Sequence, residues 1–113
     1  MTTAQGIPDD PLAFIRKCIA EYRVFWTYHV NMKMRKRYIP RRAILESVAS
    51  YEIIESYSED KYLPSYLVYS RHEDRACHAL FAVDVSAQNV RVVTAYYPAP
   101  EKWSEDLKRR RKS

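Results

Sequence analysis

The chemistry open to this chain starts from His29, His78, Tyr96 and the basic residues around them. Cleaving RNA without a metal ion asks little of a protein, because the substrate's own 2′-hydroxyl is the nucleophile. A base, an acid and cations that meet the charge developing on the phosphorane are enough. His78 or His29 would exchange the proton, Tyr96 would act as acid or position the phosphate, and Arg37, Lys33 and Arg71 would stabilise charge. Spacing organises part of this set. Positions 29, 33 and 37 are four apart, so on a helix His29, Lys33 and Arg37 form one stripe with Lys36 beside it. Such a stripe can follow a phosphate backbone, and it can equally be a solvated helix face. The ten tyrosines could offer stacking platforms for unpaired bases, but most lie in strand-like runs, where a phenol has an apolar body and a wet hydroxyl.

Several chemistries are excluded by what the sequence lacks. Its one glycine, Gly6, precedes every patterned segment, which removes the glycine-rich phosphate cradles of Walker and dinucleotide sites. Cys18 and Cys77 belong to no CxxC or HxxxC pair, so neither a zinc site nor a disulfide framework is read, and no cofactor is expected. Asp84 and Asp106 are separate, and strand alternation would turn Glu52 and Glu55 to opposite faces, leaving no carboxylate cluster for a two-metal nuclease.

Charge points toward an anionic partner. The chain carries a formal net charge of +5, and twelve of its nineteen Lys and Arg fall within residues 33–42 and 101–113. The remainder is mildly acidic. Segregation of this kind suits nucleic acid, because each neutralised phosphate releases counterions. No run approaches the roughly 18 apolar residues that span a bilayer, and no basic, then apolar leader is visible, so a soluble cytoplasmic protein without a membrane partner is expected.

The elements that must position these residues follow from periodicity. At 113 residues with 47% apolar side chains, one domain over 9–113 is expected behind a flexible leader at 1–8. Asp9 or Asp10 can cap a helix over 11–22 that starts at Pro11 and buries Leu12, Ile15, Cys18 and Ile19. VFWTY (24–28) reads as a short strand or extended lead-in, and helices over 29–37 and 41–50 follow, separated by Pro40. From residue 51 the period changes to two. Segments 51–58, 65–71, 76–85 and 89–97 are four strands with short connectors, an antiparallel meander. Pro98 and Pro100 stop the last, and PEKWSEDLKRRR reads as a closing basic helix. Strict alternation puts Cys77, Ala79, Phe81, Val83 and Val85 on a core face, with His78 on the other, mixed face. Along the last strand it groups Val90, Val92, Thr94 and Tyr96, and the register decides whether these join His78. The fold class is α+β.

Four segments resemble a known family. HVNMKMRKRYI (29–39) is similar to a HxxxRMxxRGI pattern, PSYL (64–67) to a PSYL signature, CHALFAVD (77–84) to LHVVVAVD, and VVTAYYPAPEKW (92–103) to TVYxPxPxxW. These motifs mark a small uncharacterised-domain family of RelE/ParE-superfamily, toxin-like proteins, and the likeness runs from about residue 29 to 110. It implies a RelE-like fold, with N-terminal helices on one face of a curved antiparallel four-stranded sheet, a C-terminal helix, and RNA on the other face. It also implies the toxin component of a toxin–antitoxin system, acting as an endoribonuclease on RNA, free or on the ribosome. The partner would be a cognate antitoxin, frequently one with an MqsA-like zinc-finger domain. The alternative is a non-catalytic module of the same fold that binds nucleic acid or protein. Carried over by position, the family's recurrent polar residues are His29, Arg37, His78, Thr94 and Tyr96, with Trp103 as a packing anchor. Lys33, Lys36, Arg71, Thr94, Arg109 and Arg110 complete an RNA-binding set. Lys33 stands where the pattern has arginine, Tyr38 where it has glycine, and Tyr97 and Ala99 where acidic residues are common.

Overall fold

Asp10 opens the first helix, α1 (Pro11–Ala20), by accepting a hydrogen bond from the Ala13 amide at 3.0 Å, with Pro11 at the first helical position. A computed structural model describes residues 6–59 and 62–112; residues 1–5 of the expected leader lie outside that range. A three-residue strand, β1 (Val24–Trp26), precedes α2 (Tyr28–Lys36), which Thr27 caps through the Val30 amide at 3.0 Å. The helix expected over 41–50 is shorter. It ends as α3 (Arg41–Leu45), because the Ser47 hydroxyl donates back to the Ala43 carbonyl at 2.6 Å, and a 3-10 turn at Val48–Ser50 leads into the sheet.

Both longer helices end in the same way. After α1 the amides of Tyr22 and Arg23 bond back to the Ile19 and Cys18 carbonyls, and after α2 those of Tyr38 and Ile39 bond back to Arg35 and Met34. This is the Schellman closure, which places one residue in the left-handed region, and here the occupants are Tyr22 at φ 56° and Tyr38 at φ 57°. Glycine normally takes that place, and the family pattern has one at 38. A tyrosine there strains the backbone by about 1–2 kcal/mol. Tyr38 is 88% exposed, so its ring gives little back. Tyr38→Gly is therefore expected to raise stability by about 0.5–1 kcal/mol after the extra unfolded-state entropy of glycine is counted, read as a higher urea midpoint. A drop of the midpoint would show that the ring, not the backbone, decides this turn.

Four further strands complete the sheet: β2 (Glu52–Tyr57), β3 (Ser65–His72), β4 (Arg75–Asp84) and β5 (Asn89–Tyr96). β2 to β5 form the expected antiparallel meander, with Glu73 and Asp74 both at positive φ in the tight β3–β4 turn. The four-stranded expectation is corrected by β1, which pairs parallel to β5 through Val24–Val90 to Trp26–Val92 and gives a mixed five-stranded sheet ordered β1-β5-β4-β3-β2. One face is core. Cys77, Ala79, Phe81 and Val83 of β4 pack with Ile15, Cys18 and Ile19 of α1, Val30 and Met34 of α2, and Ala43 and Ile44 of α3.

The closing helix does not form. Ser104 and Asp106 capture the amides of Arg109 (3.2 Å) and Lys108 (3.1 Å), and Leu107 turns left-handed at φ 64°. Residues 98–112 instead run as a series of turns pinned by a Trp103–Arg110 bridge. No helix among the described residues is long and apolar enough to cross a membrane.

Candidate functional site

On the sheet face opposite the helices, the pairing register sets out two rows of side chains. Glu52, Tyr69, His78 and Tyr96 stand side by side across β2, β3, β4 and β5, and Glu55, Leu67, Leu80 and Thr94 form the next row. Two β-bulges make this possible. Ile54 is an extra residue between Ile53 and Glu55 on β2, and Val93 an extra one opposite the Leu80–Phe81 step on β5. Each bulge reverses the alternation beyond it. Glu55 thereby joins Glu52 instead of opposing it, and Thr94 and Tyr96 join His78 while Val90 and Val92 stay in the core, contrary to the grouping that strict alternation gives.

The C-terminal turns lie over the first row. His78 is fully buried, with Trp103 edge-on at 4.4 Å between centroids, Tyr96 at 5.3 Å and Tyr69 at 6.1 Å. Its Nε2 lies 2.7 Å from the Leu107 carbonyl, which can only accept, so the proton sits on Nε2. Nδ1 is then the acceptor for the Tyr96 hydroxyl at 3.3 Å. Burial pulls the His78 pKa below its usual value, against the opposing pull of the Leu107 carbonyl and Glu55. The imidazole in the folded protein is neutral. On the mixed face expected for His78 the imidazole itself is thus covered, and substrate cannot touch this ring directly.

The unfolded chain takes up a proton on this histidine below about pH 6.5, whereas the folded one resists it to lower pH. The stability His78 contributes is thus complete above that value and lost as pH falls toward the folded pKa. Urea midpoints between pH 7.5 and 5.5 are expected to fall for the wild type and to fall less for His78→Gln; parallel curves would remove His78 from this role.

The second row stays open. Glu55, Tyr57, Leu67, Leu80, Thr94, Tyr96 and Arg110 line a pocket of about 310 Å³. Arg110 grips Glu55 with both ends of its fork, Nε to Oε2 at 2.7 Å and Nη2 to Oε1 at 3.1 Å, and the Tyr57 hydroxyl donates to the same carboxylate. Burial raises the Glu55 pKa, but these donors and the Arg110 charge outweigh it, so the carboxyl is held below its usual range and is ionised at neutral pH. Burial, only partly offset by Arg110, pushes Tyr96 up to about 12, which keeps its phenol a proton donor.

The structure gathers some of the expected residues and separates others. His78, Tyr96, Thr94 and Arg110 meet on the outer face. Arg37 joins them from the end of α2, its Nη1 donating to the Ala95 carbonyl at 2.7 Å. His29 is exposed at the start of α2, about 12 Å back along the helix axis from Arg37, and is not part of the site. Lys33 and Lys36 lie in the last turn of α2 and line neither pocket beside Tyr96. Arg71 is bonded to the Tyr69 hydroxyl and the Asp74 carbonyl, both at 3.0 Å, and so buttresses the first row from β3. Arg109 points elsewhere, with Ser104, Glu105 and Asp106. Trp103 is 3% exposed, an anchor as the resemblance implied. Glu55 is the site residue that strict alternation does not single out, because the bulge at Ile54 turns it to this face. Among the described residues no three His, Cys, Asp or Glu side chains gather to hold a metal ion.

Residues 26–97, well over half of the chain, match the family described as "Domain of unknown function (DUF4258)". No curated protein and no solved structure matches the chain. The matched span contains Arg37, Glu55, His78, Thr94 and Tyr96 but stops short of the turns that carry Trp103 and Arg110.

Proposed function

The chain belongs to the DUF4258 family, a domain of unknown function, and we propose that within it this protein is a metal-independent endoribonuclease of RelE-like type, the toxin of a toxin–antitoxin pair. The observation that carries the reading is the meeting of an ionised carboxylate, a protonated phenol and a guanidinium in one open pocket: Glu55, Tyr96 and Arg110. Glu55 accepts the proton of the substrate's 2′-hydroxyl, whose oxygen attacks the adjacent phosphorus. Arg110 meets the charge that develops on the phosphorane, and Tyr96 gives its proton to the departing 5′-oxygen. The new bond is 2′-O–P and the broken one P–O5′, so the products are a 2′,3′-cyclic phosphate and a free 5′-hydroxyl. His78 is a positioning residue in this scheme: before substrate arrives its Nδ1 accepts the Tyr96 O–H and holds the phenol at the pocket edge, in the tautomer that the Leu107 carbonyl fixes, and the O–H turns from Nδ1 to the 5′-oxygen to give up its proton. A cognate antitoxin would keep the toxin inactive. Thr94 and the Leu67–Leu80 floor offer a hydroxyl and an apolar surface to a base.

The test is to incubate purified protein with RNA in a chelator, with and without ribosomes, and to map the ends of the products. Cyclic-phosphate ends and growth arrest on induction are expected; intact RNA in both arms refutes the enzyme. Two observations favour the alternative, a non-catalytic binding module: Arg110 is already paired with Glu55, and His78 is buried. That module would bind RNA with steep salt dependence and leave it whole.

A further inference from the structure

β1 pairs with β5 only as far as Val92, so the rest of that edge of β5 is open, and Arg37 spans to it by bonding the Ala95 carbonyl at 2.7 Å. Beside this contact lies a second cavity, of about 580 Å³, whose walls include Arg37, Lys102, Arg110, Tyr96, Tyr97 and Trp103. No carboxylate lines it. Among the described residues Arg110 has an acidic partner, Glu55, while no ion pair engages Arg37 or Lys102. Two uncompensated cations at one cavity repel each other, and an anion between them relieves that repulsion. The cavity also has aromatic walls, and it shares Tyr96 and Arg110 with the 310 Å³ pocket, so a chain leaving one pocket enters the other across this pair.

We infer that the cavity between Arg37 and Lys102 is a phosphate subsite that holds the nucleotide next to the reacting phosphodiester. The neighbouring position rests on the ribonuclease reading above; the phosphate rests on the cations alone. Arg37 supplies a planar fork held at a fixed angle by Ala95, and Lys102 a mobile point charge, so between them they can take two oxygens of one phosphate. Trp103 is buried beneath Arg110 and one face of Tyr97 carries Arg75, so it is the half-buried Tyr96 ring and the free side of Tyr97 that offer a base contact and favour a nucleotide over a bare sugar phosphate. No carboxylate lines the cavity, and Glu55, which lines the neighbouring pocket, is neutralised by Arg110.

Adenosine 5′-monophosphate, ribose 5-phosphate and adenosine serve as probes, titrated into the full chain and followed by amide chemical shifts and calorimetry. Adenosine 5′-monophosphate is expected to bind more tightly than either fragment, with the shifts centred on Arg37 and Lys102. In the double variant Arg37→Gln, Lys102→Gln its affinity falls by at least about tenfold. Both side chains are exposed, so the variant keeps the fold, and its amide spectrum checks this. Salt dependence of binding to a short single-stranded RNA should lose about 0.7 from its log–log slope for each cation that no longer meets a phosphate. Equal affinity for ribose 5-phosphate, or an unchanged affinity in the double variant, overturns the subsite. Phosphate-dependent binding in a protein that leaves RNA intact would refute the nuclease reading alone and support the subsite.

Discussion

Replacing Glu55 with Gln will lower RNA cleavage by about 10²–10⁴-fold, the usual worth of a general base, and will leave the protein folded. The carboxylate is the one acidic group in the open pocket, ionised because Arg110 and Tyr57 hold it so, and it stands on the same floor as the Tyr96 phenol. Gln keeps the size and an oxygen for Arg110 but cannot take a proton. The cost to stability is small, because the pair is partly solvated, with side-chain exposures of 60% for Arg110 and 20% for Glu55, and exposed pairs contribute about 0–1 kcal/mol. The loss should fall on kcat with KM nearly unchanged. Its acid limb should also vanish: in the wild type, cleavage declines as pH drops through the lowered Glu55 pKa, and in the variant that inflection is gone. A variant that cleaves at the wild-type rate would place the base elsewhere.

Trp103→Ala is expected to destabilise the protein by about 3–5 kcal/mol, the range for emptying a buried indole site. Trp103 is 3% exposed, stands edge-on to His78 at 4.4 Å, carries the Arg110 guanidinium over its ring at 4.7 Å and bridges to Arg110 through the backbone. Without it the turns over 98–112 lose their anchor, Leu107 leaves Nε2, and His78 meets water. The His78 pKa, read from its ring protons, should then rise toward its ordinary value, and amides of residues 104–110 should exchange faster. Trp103→Phe restores part of both effects. A loss below about 1 kcal/mol with His78 still protected would show that the covering segment is held by the Arg110–Glu55 and Lys108–Glu52 pairs instead.

Much of the architecture is legible in the residues because period and capping agree there. Asp10–Pro11 starts a helix, Val, Ile and Tyr at period two make strands, and the β3–β4 hairpin turns at Glu73–Asp74. Three features escape for physical reasons. The pairing of β1 is non-local, an edge strand of three residues joined to a partner more than sixty positions away, and nothing in VFW announces it. Local side-chain bonds from Ser104 and Asp106 override the helix-favouring charge pattern of the last segment. The bulges at Ile54 and Val93 shift the faces by one residue, and a single insertion of that kind leaves no mark on composition. The same shift decides the site. His78 and Tyr96 can be picked out as proton-exchanging side chains, but their roles separate only when the covering turns are seen, and Glu55 is found only when its face is known. Charge behaves in the same way: of the basic residues in the two rich segments, Arg37, Lys102 and Arg110 converge, whereas Lys33, Lys36 and Arg109 face solvent or other surroundings.

Attack by the 2′-hydroxyl is best probed with a short RNA and its twin carrying a single 2′-deoxy nucleotide on the 5′ side of the cleaved bond, both incubated with the wild-type protein in the presence of a chelator. The all-ribose strand is expected to be cut to a 2′,3′-cyclic phosphate and a 5′-hydroxyl, and the deoxy twin to be untouched at that bond. Cleavage of the twin at the same position, or a 5′-phosphate end on either strand, would contradict attack by the 2′-hydroxyl.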